Sequence, residues 1–172
     1  MESYDYLNTN HYRNSDNTAF CDYNCGGYAL MTYNWYLPYY NSTSDHVETI
    51  EKLWSEGYSI EDIYSFIIDA DITNMLSDFP QLRQVDRCYD LKPSERLIAY
   101  RFYVIIDELS DGYIDVDSDF HYRFKDYGDT GWKEKRGSCP CEELTEEDNK
   151  YWGDYDSKIC YFVMPIPVGV EI

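Results

Sequence analysis

Apolar residues recur at helical spacing in the first half of the chain and at strand spacing in the second. A first helix is predicted to begin at Asn24 or Cys25. Tyr28, Met31 and Trp35, with Leu30 or Asn34 beside them, follow on one face, and Pro38 supplies a stop. A second is predicted from Asp45, with Glu48 at the capping-box spacing. Its stripe is Val47, Ile50, Leu53 and Trp54, and Gly57 closes it. A third begins at Ser59, with Asp62 three residues on and Ile60, Ile63, Tyr64, Ile67 and Ile68 on its inner face. A short helix is predicted over Asp71 to Ser77, before Pro80. Residues of about 45–79 therefore read as a helical insert between the first helix and a sheet.

The pattern then changes period. Arg96 to Ile106 is β-rich and almost continuously apolar, as a strand covered on both faces is. From Asp119 to Lys125 the chain alternates, with Phe120, Tyr122 and Phe124 on one face and His121 and Arg123 on the other. Tyr127-Gly128-Asp129-Thr130-Gly131 predicts a turn, Trp132 to Arg136 a return strand, residues 138–157 an acidic loop, and Lys158 to Pro165 a last strand. Residues 1–18 read as a polar, tyrosine-rich arm. Helices first and an antiparallel sheet after them give an α+β class, and 172 residues suit one domain over 1–172.

Charge narrows the partners. The 33 acidic and 14 basic residues leave a net charge of −19. Such a field repels nucleic acid and anionic membranes, so neither direct nucleic-acid binding nor a membrane partner is expected. It attracts a basic protein surface. No apolar stretch is long enough to span a bilayer, and Met1-Glu2-Ser3-Tyr4-Asp5 has no signal-like basic or apolar region, so a cytoplasmic location is expected. There the six cysteines are expected as thiols.

Asn24-Cys25-Gly26-Gly27-Tyr28-Ala29-Leu30 is the segment richest in chemistry. A cysteine at a helix start sits beside unsatisfied N–H groups and the positive end of the helix dipole, which favour thiolate. Two glycines after it leave the sulfur uncovered. Of the three histidines, His11 lies in the arm, and His46 is expected at the surface of the second helix. His121 is the candidate base, pointing away from its aromatic neighbours. With a turn centred between Gly128 and Asp129, Arg123 pairs with Glu134, which puts Glu134 on the His121 face as the candidate that orients the ring. Asp119, on the same strand face, is the alternative. The Cys25 N–H, with Asn24 or Asn17, is the candidate oxyanion donor.

These residues carry a resemblance. Asn-Cys-x-x-Tyr-Ala-Leu at 24–30, Leu-Ile-Ala-Tyr-Arg at 97–101, Asp-Phe-His-Tyr-Arg-Phe at 119–124 and Gly-Trp-Lys-x-Lys-Arg-Gly at 131–137 resemble a group of small papain-like proteins. These occur in bacteria and their phages and are similar to CHAP-type amidases and peptidases. The resemblance covers roughly residues 19–37 and 91–137. It implies a papain-like fold, with the Cys-bearing helix packed on the sheet, Cys25 as nucleophile and His121 as base. The Gly-Gly after Cys25 departs from the usual aromatic-bearing pair, and the insert at 45–79 has no counterpart in a minimal amidase.

Two other chemistries compete. Cys21, Cys25, Cys139 and Cys141 could surround zinc, though the C-x-C pair is tight and no standard ribbon results. Asp115-x-Asp117-x-Asp119 opens like a calcium loop, but Phe120 stands where glycine is needed. The expectation is therefore a site without metal or cofactor. Its expected function is a cysteine hydrolase acting on an amide, isopeptide or ester bond, with a peptide or other amide as substrate. The alternative is a non-catalytic acidic inhibitor, phage-borne and anti-defence or anti-CRISPR-like, whose Glu142-Glu143-Leu144-Thr145-Glu146-Glu147-Asp148 loop helps occupy a basic protein surface. A wall-lytic role fits poorly, since anionic wall polymers repel this charge.

Overall fold

The computed structural model describes residues 24–32, 35–39, 46–137, 139 and 141–167. Helices α1 (Cys25–Ala29), α2 (His46–Ser55) and α3 (Ile60–Asp78) precede six strands. These are β1 (Arg83–Val85), β2 (Glu95–Glu108), β3 (Ile114–Asp126), β4 (Lys133–Lys135), β5 (Cys141–Glu143) and β6 (Cys160–Pro165). The strands form one antiparallel sheet in the order β1-β6-β2-β3-β4-β5. The α+β class is what the sequence predicts.

The core lies between the helices and one face of the sheet. Register places Ile98 opposite Phe124, Tyr100 opposite Tyr122 and Phe102 opposite Phe120. Phe162 and Met164 of β6 continue that face, and Ile50, Ile63, Ile67 and Met75 cover it from the helices. β3 changes character along its length. Up to Asp119 it alternates between exposed and half-buried, and from Phe120 to Phe124 it is buried on both faces. His121 lies at the start of that buried stretch.

Helix ends follow local chemistry. Ser59 caps α3 by accepting from the Asp62 N–H at 3.2 Å and donating to Asp62 Oδ2 at 2.9 Å. Gly57, at φ 86°, closes α2 in a Schellman motif: Gly57 N donates to the Trp54 carbonyl and Tyr58 N to the Leu53 carbonyl. The expected break near Asp71 is absent, and α3 runs through to Asp78. Asp71 reads in the sequence as a helix start, but its carboxylate points inward, 1% exposed, and accepts hydrogen bonds from Tyr100 and His46. His46 is accordingly not a surface residue. It is 6% exposed, with Nε2 2.9 Å from Asp71 Oδ1 and its ring packed on Tyr39 and Phe102.

α1 is much shorter than predicted. It ends at Ala29 because Met31 adopts a left-handed φ of 56°. Met31 N donates to the Tyr28 carbonyl and Thr32 N to the Gly27 carbonyl, the same Schellman closure without a glycine to announce it. Gly26 is favoured by packing: a Cβ there would lie 3.0 Å from the Tyr122 ring and 3.2 Å from the Tyr36 carbonyl. Strands β1 and β5 fall where no strand is predicted. The arm at 1–18, with His11 and Asn17, and also Cys21, Asn34 and Asp45 lie outside the described residues.

Arg96 ties α1 to the sheet. Its guanidinium makes a bidentate pair with Asp126, at 2.7 and 2.8 Å, and donates to the Tyr28 and Ala29 carbonyls at the C-terminal end of α1. Arg96→Met leaves the Asp126 carboxylate buried and unpaired. The expected loss in urea denaturation is about 3–5 kcal/mol. A loss within about 0.5 kcal/mol, the range of an ordinary surface substitution, would show that this pair does not anchor the helix.

Candidate active site

One side chain builds the start of α1. Asn24 Oδ1 accepts from the Gly27 N–H at 2.9 Å and the Tyr36 N–H at 3.1 Å, and Nδ2 donates to the Tyr36 carbonyl at 2.6 Å. Asn24 is thus a helix cap clamped to the 35–39 segment, in place of the oxyanion donor anticipated from sequence. The other anticipated donor, Asn17, lies outside the described residues. The backbone N–H of Cys25 has no hydrogen-bond acceptor among the described residues, and Cys25 lines the cleft.

Cys25 and His121 approach from opposite sides of the sheet. α1 packs on the Tyr122 and Phe124 face, with the Tyr28 and Phe124 rings 5.4 Å apart. His121 points to the other face by strand alternation. The β3–β4 ladder comprises only Arg123↔Glu134 and Phe124↔Lys133, so the edge of β3 is unpaired at His121. Around that edge the thiol and the imidazole become hydrogen-bond partners, and both line one cleft of about 510 Å³.

Glu134 holds the far side of the ring. Its Oε2 is 3.0 Å from His121 Nε2. The register is the one the turn predicts. Glu134 also accepts from Arg123 Nε at 2.8 Å and from Arg136 Nε at 2.6 Å. Asp119 is engaged elsewhere: it accepts from the Tyr155 hydroxyl at 2.8 Å and lies exposed at the cleft rim.

These contacts set the charges. Burial pulls the His121 pKa down. The hydrogen bonds to Cys25 and Glu134, and the negative charges of both, more than reverse this and raise it to about 9. Burial pushes the Glu134 carboxyl up, and its hydrogen bonds to His121, Arg136 and Arg123 bring it down to about 2. Between those values the site holds an imidazolium between a carboxylate and a sulfur.

Sequence reading alone missed the loop that roofs the ring. Tyr155 and Trp152 pack on His121 at 5.3 and 6.2 Å between centroids. Arg123 anchors that loop, donating to the Tyr151 carbonyl at 2.7 Å and stacking 4.1 Å over Trp152. The Arg123–Glu134 pairing was available from the predicted hairpin register. Nothing local in the sequence marks Trp152 or Tyr155.

The metal readings find no support in the geometry. Cys139 is exposed, Cys141 is half-buried on β5, and Cys21 lies outside the described residues. Among the described residues no group of three or more His, Cys, Asp or Glu side chains could hold a metal ion. Asp115, Asp117 and Asp119 lie along a strand, where they cannot wrap an ion as a loop does. Comparison of the chain with family models, curated proteins and solved structures gave no match in any of the three.

The two shifted groups predict a pH profile. His121 rises from 6.5 to about 9, so its contribution to stability is complete below about pH 6.5 and is lost as pH rises through about 9. Glu134 falls from 4.5 to about 2, so its contribution is complete above about pH 4.5 and is lost as pH falls through about 2. The share of stability due to this pair is therefore flat between about pH 4.5 and 6.5. In an NMR titration the His121 imidazole should turn over near pH 9, and in Glu134→Gln well below that. A wild-type midpoint at or below 6.5 would contradict the arrangement.

Proposed function

We propose that this protein is a papain-like cysteine hydrolase that cleaves an amide, isopeptide or ester bond. The observation that carries the proposal is the single imidazole hydrogen-bonded to Cys25 on one side and to the buried Glu134 on the other. A structural histidine needs one partner. This one joins a sulfur at a helix start to a carboxylate, and all three line an open cleft.

The chemistry follows from the charges. The Cys25 sulfur, as thiolate beside the His121 imidazolium, attacks the substrate carbonyl carbon. The carbonyl oxygen takes the negative charge and accepts from the Cys25 N–H. His121 then gives its proton to the leaving amine or alcohol, and a thioester forms. Water attacks the thioester with neutral His121 as base, which releases the acid and restores the pair. Glu134 holds the ring and favours its charged form throughout, while Arg123 and Arg136 hold Glu134.

A second reading has its own observation. At the far end of the β2–β3 hairpin Asp107 stands directly opposite Asp115, and Glu108, Asp111 and Asp117 are exposed beside them. Like charges across a ladder are unfavourable. That supports a role for the acidic surface in docking on a basic protein, as an anti-defence inhibitor would.

The test traps the intermediate. Incubation with a panel of acyl and peptidyl p-nitrophenyl esters should give a burst of nitrophenol and a thioester on Cys25 seen by intact mass. Cys25→Ala should abolish both. His121→Ala should slow the burst on the order of 10²–10⁴-fold, the usual weight of an acid–base residue. If no ester acylates Cys25, and the cellular effect of expression survives Cys25→Ala, the docking reading replaces the hydrolase.

A further inference from the structure

The cleft around Cys25 is asymmetric in charge. Its cations are His121, Arg123 and Arg136, and all three are bound to Glu134. Two further carboxylates line it, Asp119 and Asp154, and among the described residues neither forms an ion pair. Both are exposed. Asp119 is fixed in place by the Tyr155 hydroxyl, and Tyr155 itself packs on the His121 ring. These acids therefore sit next to the reacting centre, on its Tyr155 side. The exposed rings of Trp35 and Tyr151 line the same cleft. A cleft that offers both exposed aromatic rings and carboxylates can receive an ammonium or guanidinium group, through charge and cation–π attraction.

We infer that the cleft selects peptide substrates with a lysine or arginine beside the scissile bond, and that Asp119 and Asp154 are the residues that set this preference. The inference rests on Cys25 being the nucleophile. A cationic side chain enters along the Asp119–Tyr155 wall and pairs with the two acids that the lining's own cations, held on Glu134, do not engage. The net charge of −19 steers such substrates toward the protein, and the two acids decide where on it they dock.

The test uses three methanethiosulfonates of similar size: a cationic trimethylammonioethyl, an anionic sulfonatoethyl and a neutral methyl reagent. In each reaction the Cys25 sulfur bonds to the reagent's sulfenyl sulfur, and methanesulfinate leaves with the electron pair. Timed quenching and peptide mapping give the rate at each thiol. The exposed Cys88 of the same molecule is the internal reference for the overall field. The cation-to-anion rate ratio at Cys25 should exceed that at Cys88 on the order of tenfold. In Asp119→Asn/Asp154→Asn it should fall to the Cys88 ratio, while the remote pair Glu51→Gln/Glu56→Gln, equal in charge removed, should leave it unchanged. Asparagine at 119 still accepts from Tyr155, so the wall keeps its shape. Equal ratios at Cys25 and Cys88, or a ratio untouched by the 119/154 substitutions, would overturn the preference while leaving the nucleophile intact. A Cys25 slower than Cys88 toward the neutral reagent as well would remove the nucleophile and the preference together.

Discussion

A carboxylate that is 1% exposed has to be surrounded by positive charge, and Glu134 is that carboxylate. Three cations, two from β3 and one from just beyond β4, converge on its two oxygens. Each brings part of the site with it. His121 carries the ring toward Cys25. Arg123 carries the loop whose Trp152 and Tyr155 roof the ring. Arg136 reaches back from just beyond β4 and also lies 3.7 Å from Glu142 on β5. Removing the carboxylate would leave two buried cations, His121 and Arg123, facing each other beside the exposed Arg136 at the β3–β4 edge. The imidazolium is thus a consequence of how the edge of the sheet is neutralised.

The sulfur side depends on a different constraint. A helix of five residues cannot hold itself together in water, because nucleation costs more than one turn of hydrogen bonds returns. α1 exists because Asn24 ties its first turn to Tyr36 and Arg96 ties its last carbonyls to β2. Its close approach to Tyr122 and the Tyr36 carbonyl leaves a side chain at position 26 tight contacts that those neighbours would have to relieve. Gly26, which in the sequence leaves the sulfur uncovered, in the structure also lets the helix that carries the thiol pack closely on Tyr122.

The fold was legible where pattern and period are strong. The alternation around His121, the apolar run of β2 and the Ser59 cap all lie where the sequence places them. The hairpin turn was specific enough to set the Arg123–Glu134 register, and with it the third group at the imidazole. Sequence failed where a residue's role depends on a distant partner. Met31 ends α1 in a conformation that usually signals glycine, Asp71 looks like a helix start and is a buried acceptor, and His46 looks exposed and is its partner. The roof of the site, from Tyr151 to Tyr155, reads as an acidic loop because the Arg123 contacts that order it come from a strand about 28 residues away.

The proposed hydrolase needs an activated sulfur, yet the sulfur that would serve is buried. Cys25 is 7% exposed, whereas Cys88 and Cys139 are exposed. Accessibility alone ranks Cys25 behind them in any reaction. The most direct measurement is the rate of carboxamidomethylation of each of the three thiols by iodoacetamide at neutral pH, in the native protein and in His121→Ala. The account predicts that Cys25 reacts faster than both exposed thiols and loses that lead in the variant, while Cys88 and Cys139 do not change. A Cys25 that reacts more slowly than Cys88, at a rate indifferent to His121, would contradict it.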